Sequence, residues 1–130
     1  MVDCAFCQIA NQKIPAEIIY QDDKFIAFLD NHPQSTGHTL IIPREHFTDL
    51  LALPNNLLVD MIITVKKLAQ VLTTNLEADG FNLYQNNGRA AGQIVDHFHF
   101  HIIPRYQNEA KNKTKNDLAA VAKKINQGLK

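Results

Sequence analysis

Apolar and polar positions change their period several times along this chain, and each change marks an element. Ile18–Tyr20, Phe25–Leu29, Thr39–Pro43, Phe81–Gln85 and His97–Pro104 are short runs of strand type, which predicts five strands. Asp22-Asp23 falls between the first two runs and suits a hairpin turn. Between the third and fourth runs the period lengthens. Leu57, Leu58, Met61, Ile62, Val65, Leu68, Ala69, Leu72 and Leu76 recur at three- and four-residue steps. With Pro54 near its first turn and Gly80 just past its end, that stripe predicts one long helix. A second helix is predicted after Asn116, with Leu118, Val121, Ala122, Ile125 and Leu129 on one face. The stretch 108–116 is polar and lysine-rich and reads as a loop. Five strands with a long helix before the last pair predict an α+β domain with an antiparallel sheet.

Length and charge narrow the partners. At 130 residues the chain is long enough for one domain with a real core. Lys+Arg and Asp+Glu both number 13, so no global basic field draws in nucleic acid or a membrane surface. A phosphate would have to be held by a local site. No apolar run has the length of a membrane helix, and Met1-Val2-Asp3-Cys4 lacks the features of a signal peptide. Two cysteines without an export signal predict the reducing cytoplasm, with free thiols or a metal site rather than a disulfide.

The chemistry concentrates in HFHFHIIPR at 97–105. On a strand, His97, His99 and His101 share one face and Phe98, Phe100 and Ile102 the other. The aromatic face reads as core. A solvated strand face usually draws on Thr, Lys, Glu and Gln, so three imidazoles there ask for another reason. One shared metal does not supply it, because His97 and His101 would stand about 13 Å apart along an extended strand. The histidines are therefore expected to have different tasks. NNGRAAGQ (86–93), just upstream, carries glycines and alanines that let backbone N–H groups approach an anion, although alone it reads equally as a turn. Cys4 and Cys7 have the spacing of half a zinc knuckle, or are two buried thiols.

Taken together, HFHFHII (97–103), AFLDNHPQSTGHTLIIPREHF (27–47) and FCQIANQKIPAEIIYQDD (6–23) resemble the histidine-triad (HIT) family, and the pattern fits its bacterial, Hint-like branch. The resemblance covers residues 3–106, implying a HIT domain over 1–107, a polar loop over 108–116 and a C-terminal helix over 117–130. It implies an α+β homodimer that binds purine nucleotides such as AMP or GMP. Such proteins hydrolyse or transfer nucleoside monophosphates through a nucleotidyl-histidine. By this resemblance His99 is the nucleophile, oriented by the His97 carbonyl, and His101 donates to a phosphate oxygen. His38 matches a further histidine of the site; a hydrogen-bonded histidine at a strand start would look the same. Asn86, Gly92 and Gln93 match phosphate-contacting positions. Asp30 matches a ribose-binding acid, or is an Asx-type cap. Phe6, Ile9, Phe28 and Leu29 match a base pocket, or are plain core.

Some bacterial members pair an N-terminal C-x₂-C with histidines matching His46 and His97. The resemblance thus implies a structural Zn²⁺ on Cys4, Cys7, His46 and His97, and no organic cofactor. Ile94 departs from the serine common in Hint-like members, so no hydroxyl assists the leaving group there. His32 has no assigned task and is expected to be exposed. Two other classes stand beside the enzyme: a purine-nucleotide-binding regulatory module with little turnover, and a zinc scaffold, which would lack nucleotide affinity.

Overall fold

The first hairpin closes where Asp22 interrupts the apolar runs. Its Oδ1 accepts from the backbone N–H groups of Lys24 and Phe25, both at 2.8 Å, and Oδ2 accepts from Tyr20 at 2.7 Å. This Asx geometry fixes the turn between β1 (Ile18–Gln21) and β2 (Phe25–Leu29). The computed structural model describes residues 4–112 and 114–127. β3 (Thr39–Pro43), β4 (Gly80–Tyr84) and β5 (Phe100–Arg105) complete a five-stranded antiparallel sheet in the order β1-β2-β3-β5-β4. Leu129 lies outside the described residues. Among them, no helix is long and apolar enough to cross a membrane.

One helix-covered face carries the main core. α2 (Asn55–Asn75) buries Met61, Val65, Leu68, Ala69 and Leu72 against it. Fully burying such a side chain contributes about 1.5–3 kcal/mol for the larger ones, so packing outweighs helix propensity here. Ile62 was expected in that stripe and is 42% exposed, because one step from Met61 rotates it about 100° round the helix. The helix ends in a Schellman geometry, with Ala78 N–H on Thr73 O at 3.0 Å and Glu77 on Thr74 O at 3.4 Å. The left-handed residue is Glu77 (φ 54), while Gly80 opens β4 instead of capping the helix. α3 (Leu118–Asn126) is capped by Asp117 and buries Val121, Ala122 and Ile125 in the same core.

The other face carries a smaller cluster of Phe6, Ala10, Ile26, Phe28, Leu40 and Ile42. Over it lies α1 (Ala5–Ala10), a one-and-a-half-turn helix that the apolar period does not announce, with Cys4 as its N-cap. β5 also differs from expectation: its ladder begins at Phe100, not His97. The backbone groups before it are engaged elsewhere. Phe98 N–H binds Phe47 O at 2.6 Å, and His97 O accepts from the His99 ring at 2.7 Å. The alternation survives nonetheless, with Phe98, Phe100 and Ile102 in the main core. Pro104 fits in β5 because β3 stops pairing at Ile102, so its missing N–H faces no partner.

Candidate active site

On the α1 side of the sheet lies a cleft of about 990 Å³, at the upper end of the range for small-molecule sites. Phe6, Ile9, Phe28 and Leu29 line its apolar part. Asp30, His38, Asn86, Gly92, His99 and His101 line the rest. Phe6 stands edge-on to Phe28 at 5.4 Å and to His99 at 5.1 Å, so the apolar wall runs directly into the imidazoles.

Backbone partners settle which imidazole nitrogens carry protons. Gln34 N–H can only donate, so His38 Nδ1, 3.1 Å away, is an acceptor. The proton of neutral His38 is then on Nε2, which donates to His101 Nδ1 at 3.0 Å. That makes Nδ1 of His101 an acceptor and puts its proton on Nε2. His99 Nδ1 lies 2.7 Å from the His97 carbonyl and must donate to it, which leaves the lone pair on Nε2. His97 Nε2 donates to Pro43 O at 2.8 Å, leaving Nδ1 unprotonated. Neighbouring imidazoles therefore present opposite faces: His99 a lone pair, His101 an N–H.

All these rings are neutral near pH 7. Burial is the main cause, pushing His101 down to about 4, helped by the repulsion it would meet from His99 and His38 once those rings are protonated. His97 is likewise pushed down to about 4, mainly by burial. Burial also lowers His99 and His38, with the Asp30 charge opposing it in both. The His38–Asp30 approach of 3.5 Å is therefore a contact of a neutral ring, not an ion pair. Asp30 divides its carboxylate: Oδ1 caps the turn by accepting from His32 N–H at 2.9 Å, and Oδ2 faces His38.

The loop over 86–93 turns on Gly88 and Gly92, whose φ values are 88 and 94. Gln93, expected at the phosphate, is 2% exposed and turned away from the cleft. Its Oε1 accepts from Gly88 N–H at 2.7 Å, and its Nε2 donates to Thr48 O at 2.6 Å and Val95 O at 3.0 Å. Both amide protons are spent on backbone. The side chain braces the loop that presents Asn86 and Gly92. Ile94 is 78% exposed at the cleft rim.

Cys4, Cys7, His46 and His97 come together beside the cleft, with one ligand atom from each within 4.8 Å of the others. Cys4 Sγ is 3.3 Å and Cys7 Sγ 3.4 Å from His97 Nδ1, and Cys7 Sγ is 3.3 Å from His46 Nδ1. Tetrahedral zinc with bonds of about 2.3 Å to sulfur and 2.0–2.1 Å to nitrogen has S···N edges of roughly 3.6 Å. The donor set fits. His97 Nδ1 is the unprotonated nitrogen, held in that tautomer by the Pro43 carbonyl, the usual outer support of a metal-binding histidine. Among the described residues His46 Nε2 is buried without a hydrogen-bond partner, so the polar engagement of this ring there is with the cluster. Burial, then the hydrogen bond and charge of Cys4, push the Cys7 thiol up to about 11. A divalent ion would displace that proton.

Sequence reasoning missed several cleft residues. His32 is exposed as expected, but it lines the cleft, as does Tyr84, which pairs with His101 across the sheet. The Asp30-x-His32 spacing of an Asx turn was the available signal for the first; the register of β4 was not readable for the second.

Fold and site together define an α+β domain with a cluster of neutral histidines set in a cleft. The family description "HIT domain" matches residues 11–108. An uncharacterized HIT-like protein of Methanocaldococcus jannaschii is 45% identical over 127 residues, 94% of this chain and 98% of that protein. An adenosine 5'-monophosphoramidase of Candida albicans is 42% identical over 106 residues, 78% of this chain and 70% of that protein. A zinc-bound histidine triad family protein of Mycobacterium smegmatis superposes with a TM-score of 0.89 at 34% identity, covering 98% of this chain and 94% of that one. The chain belongs to the HIT family.

Proposed function

We propose that this chain is a nucleotide-binding hydrolase or transferase acting on the α-phosphate of a purine nucleoside phosphoramidate, acyl-nucleotide or dinucleoside polyphosphate. The observation that carries the reading is the tautomer pattern: His99 keeps a lone pair, and His101, with ring centroids 4.9 Å apart, keeps a proton. Neutral imidazole is a competent nucleophile near pH 7. His99 Nε2 attacks the α-phosphorus, forming a P–N bond as the bond to the leaving group breaks. His101 Nε2–H donates to a phosphate oxygen as charge develops. Water then attacks the nucleotidyl-histidine, releasing AMP or GMP and restoring the ring. The purine takes the wall of Phe6, Ile9, Phe28 and Leu29, the ribose hydroxyls Asp30, and the phosphate Asn86 and Gly92. His38 fixes the proton on His101. Ile94 offers no hydroxyl to the leaving group.

Cys4, Cys7, His46 and His97 would hold a zinc ion, which supplies a covalent-strength clamp between α1 and the two segments carrying the histidines. Such thiolate ligation suits a reducing compartment such as the cytoplasm. A homodimer belongs to the same reading. β4 is an edge strand whose Phe81, Leu83 and Tyr84 are 44%, 40% and 43% exposed, and α2 adds Val59 and Ile62 at 56% and 42%. A second copy pairing there would cover both the apolar patch and the open ladder edge. A monomer by sedimentation at micromolar concentration would contradict the dimer. For the activity, calorimetric titration of AMP together with turnover of adenosine 5'-phosphoramidate is the test. Binding with turnover is expected; neither with the zinc-loaded protein would reject the reading.

A further inference from the structure

α1 serves two sites at once. Its six residues are too few to hold helical form unaided. It is held by Phe6 and Ala10 in the small apolar cluster, by Arg44 Nη1 donating to Ala10 O at 3.2 Å, and by the Cys4 and Cys7 sulfurs against His46 and His97. The same short helix supplies Ala5, Phe6 and Ile9 to the cleft wall. Phe6 lies between the two thiols in sequence. Its ring is 5.1 Å from the His99 ring on the cleft side and 6.0 Å from the His97 ring on the cluster side. Anything that fixes both sulfurs fixes Phe6, and anything packed on Phe6 and Ile9 restrains the sulfurs.

We propose that the Cys4–Cys7–His46–His97 cluster and the nucleotide cleft are coupled through α1, so that zinc and a purine nucleotide each raise the protein's affinity for the other. Cys4 and Cys7 are then positioning residues for the base wall. Neither touches the nucleotide. The proposal rests on the reading of the cleft as a nucleotide site. Coupling between two sites is reciprocal, so one factor must describe both directions, and couplings of this kind typically span about 5–150-fold.

The test uses the whole protein with its metal. AMP affinity is measured by calorimetry on zinc-loaded and chelator-stripped samples, at a temperature where circular dichroism shows both folded. Zinc equilibrium with a chromophoric chelator is then measured for the loaded protein alone, with saturating AMP, and with saturating inorganic phosphate. Zinc should tighten AMP binding about 5–150-fold, and AMP should strengthen zinc retention by the same factor. On the proposed reading inorganic phosphate takes the Asn86 and Gly92 end of the cleft and leaves the apolar wall of Phe6 and Ile9 empty, so it should leave zinc retention unchanged. If stripping unfolds the chain, the chelator experiment on loaded protein decides alone. Equal AMP affinity in both samples with zinc retention unmoved by AMP overturns the coupling and leaves the nucleotide reading standing. Phosphate retaining zinc as well as AMP does overturns the route through α1. Failure of AMP to bind the loaded protein overturns both.

Discussion

Replacing Gln93 by alanine removes three hydrogen bonds at once: Gly88 N–H loses its acceptor, and the carbonyls of Thr48 and Val95 lose their donors. At 2% exposure, the position gives these groups little access to bulk water in compensation. A buried polar group left without a partner costs about 1–3 kcal/mol, and the cavity left by truncation adds to it, so the total is about 2–4 kcal/mol. Unfolding entropy of about 2.1 cal/mol/K per residue over 130 residues converts each kcal/mol into about 4 °C. Calorimetry at fixed zinc should therefore show Tm lowered by about 7–15 °C. Gln93→Glu should be worse at pH 7, because a carboxylate oxygen would face two carbonyls where an N–H₂ now donates. An unpaired buried charge of this kind costs about 3–5 kcal/mol. A Gln93→Ala protein with parent-like Tm but weakened AMP binding would refute the reasoning. That pattern belongs to a side chain that touches phosphate, not to one that braces the loop.

Substitution of the other two triad histidines should separate their tasks. His101→Ala should slow turnover by roughly 10²–10³ through loss of one donor to the transition state, with zinc content unchanged in elemental analysis. His97→Ala should lower zinc content and Tm while keeping appreciable turnover where folded, since its carbonyl still holds His99; full retention of zinc would contradict this. Acid should destabilise the fold through His101, whose folded value of about 4 lies below the ordinary 6.5. Between these values the unfolded chain binds more protons, so urea-unfolding free energy should fall as pH drops from 6.5 towards 4. A constant or rising value over that window would be inconsistent with a half-buried ring held neutral in the folded protein. Glu77→Gly should raise Tm by a few degrees, because left-handed backbone costs a non-glycine residue about 1–2 kcal/mol, part of which glycine returns as chain entropy. An unchanged or lower Tm would mean that Glu77 is stabilised by contacts that offset its backbone.

Periodicity carried the architecture. The α2 stripe and the alternation of Phe98, Phe100 and Ile102 are one-dimensional signals, and both elements lie where the period puts them apart from shifts at their ends. The ladder start at Phe100 was not legible, because it depends on Phe47 reaching across from another segment to take the Phe98 N–H. α1 was hidden for a related reason. Six residues hold no full amphipathic repeat, and the helix is stabilised by thiols and Phe6 against distant segments. For the site, resemblance pointed to the residues and to the His97 carbonyl that holds His99, but not to the other ring bonds. That His38 donates to His101 follows only once Gln34 N–H is seen on the far side of its ring. Gln93 matched a phosphate-contacting position by resemblance, and its side-chain bonds to Gly88, Thr48 and Val95 could not be read from that match.

Trapping the covalent intermediate tests the central claim most directly. Zinc-loaded protein is mixed with adenosine 5'-phosphoramidate, quenched within the first turnovers and examined by intact mass and peptide sequencing. The proposed mechanism, with the lone pair of His99 on Nε2, predicts one adenylyl group per active chain, attached to His99, and no adduct in His99→Ala. An adduct on another residue, or parent-rate turnover by His99→Ala, would contradict the account.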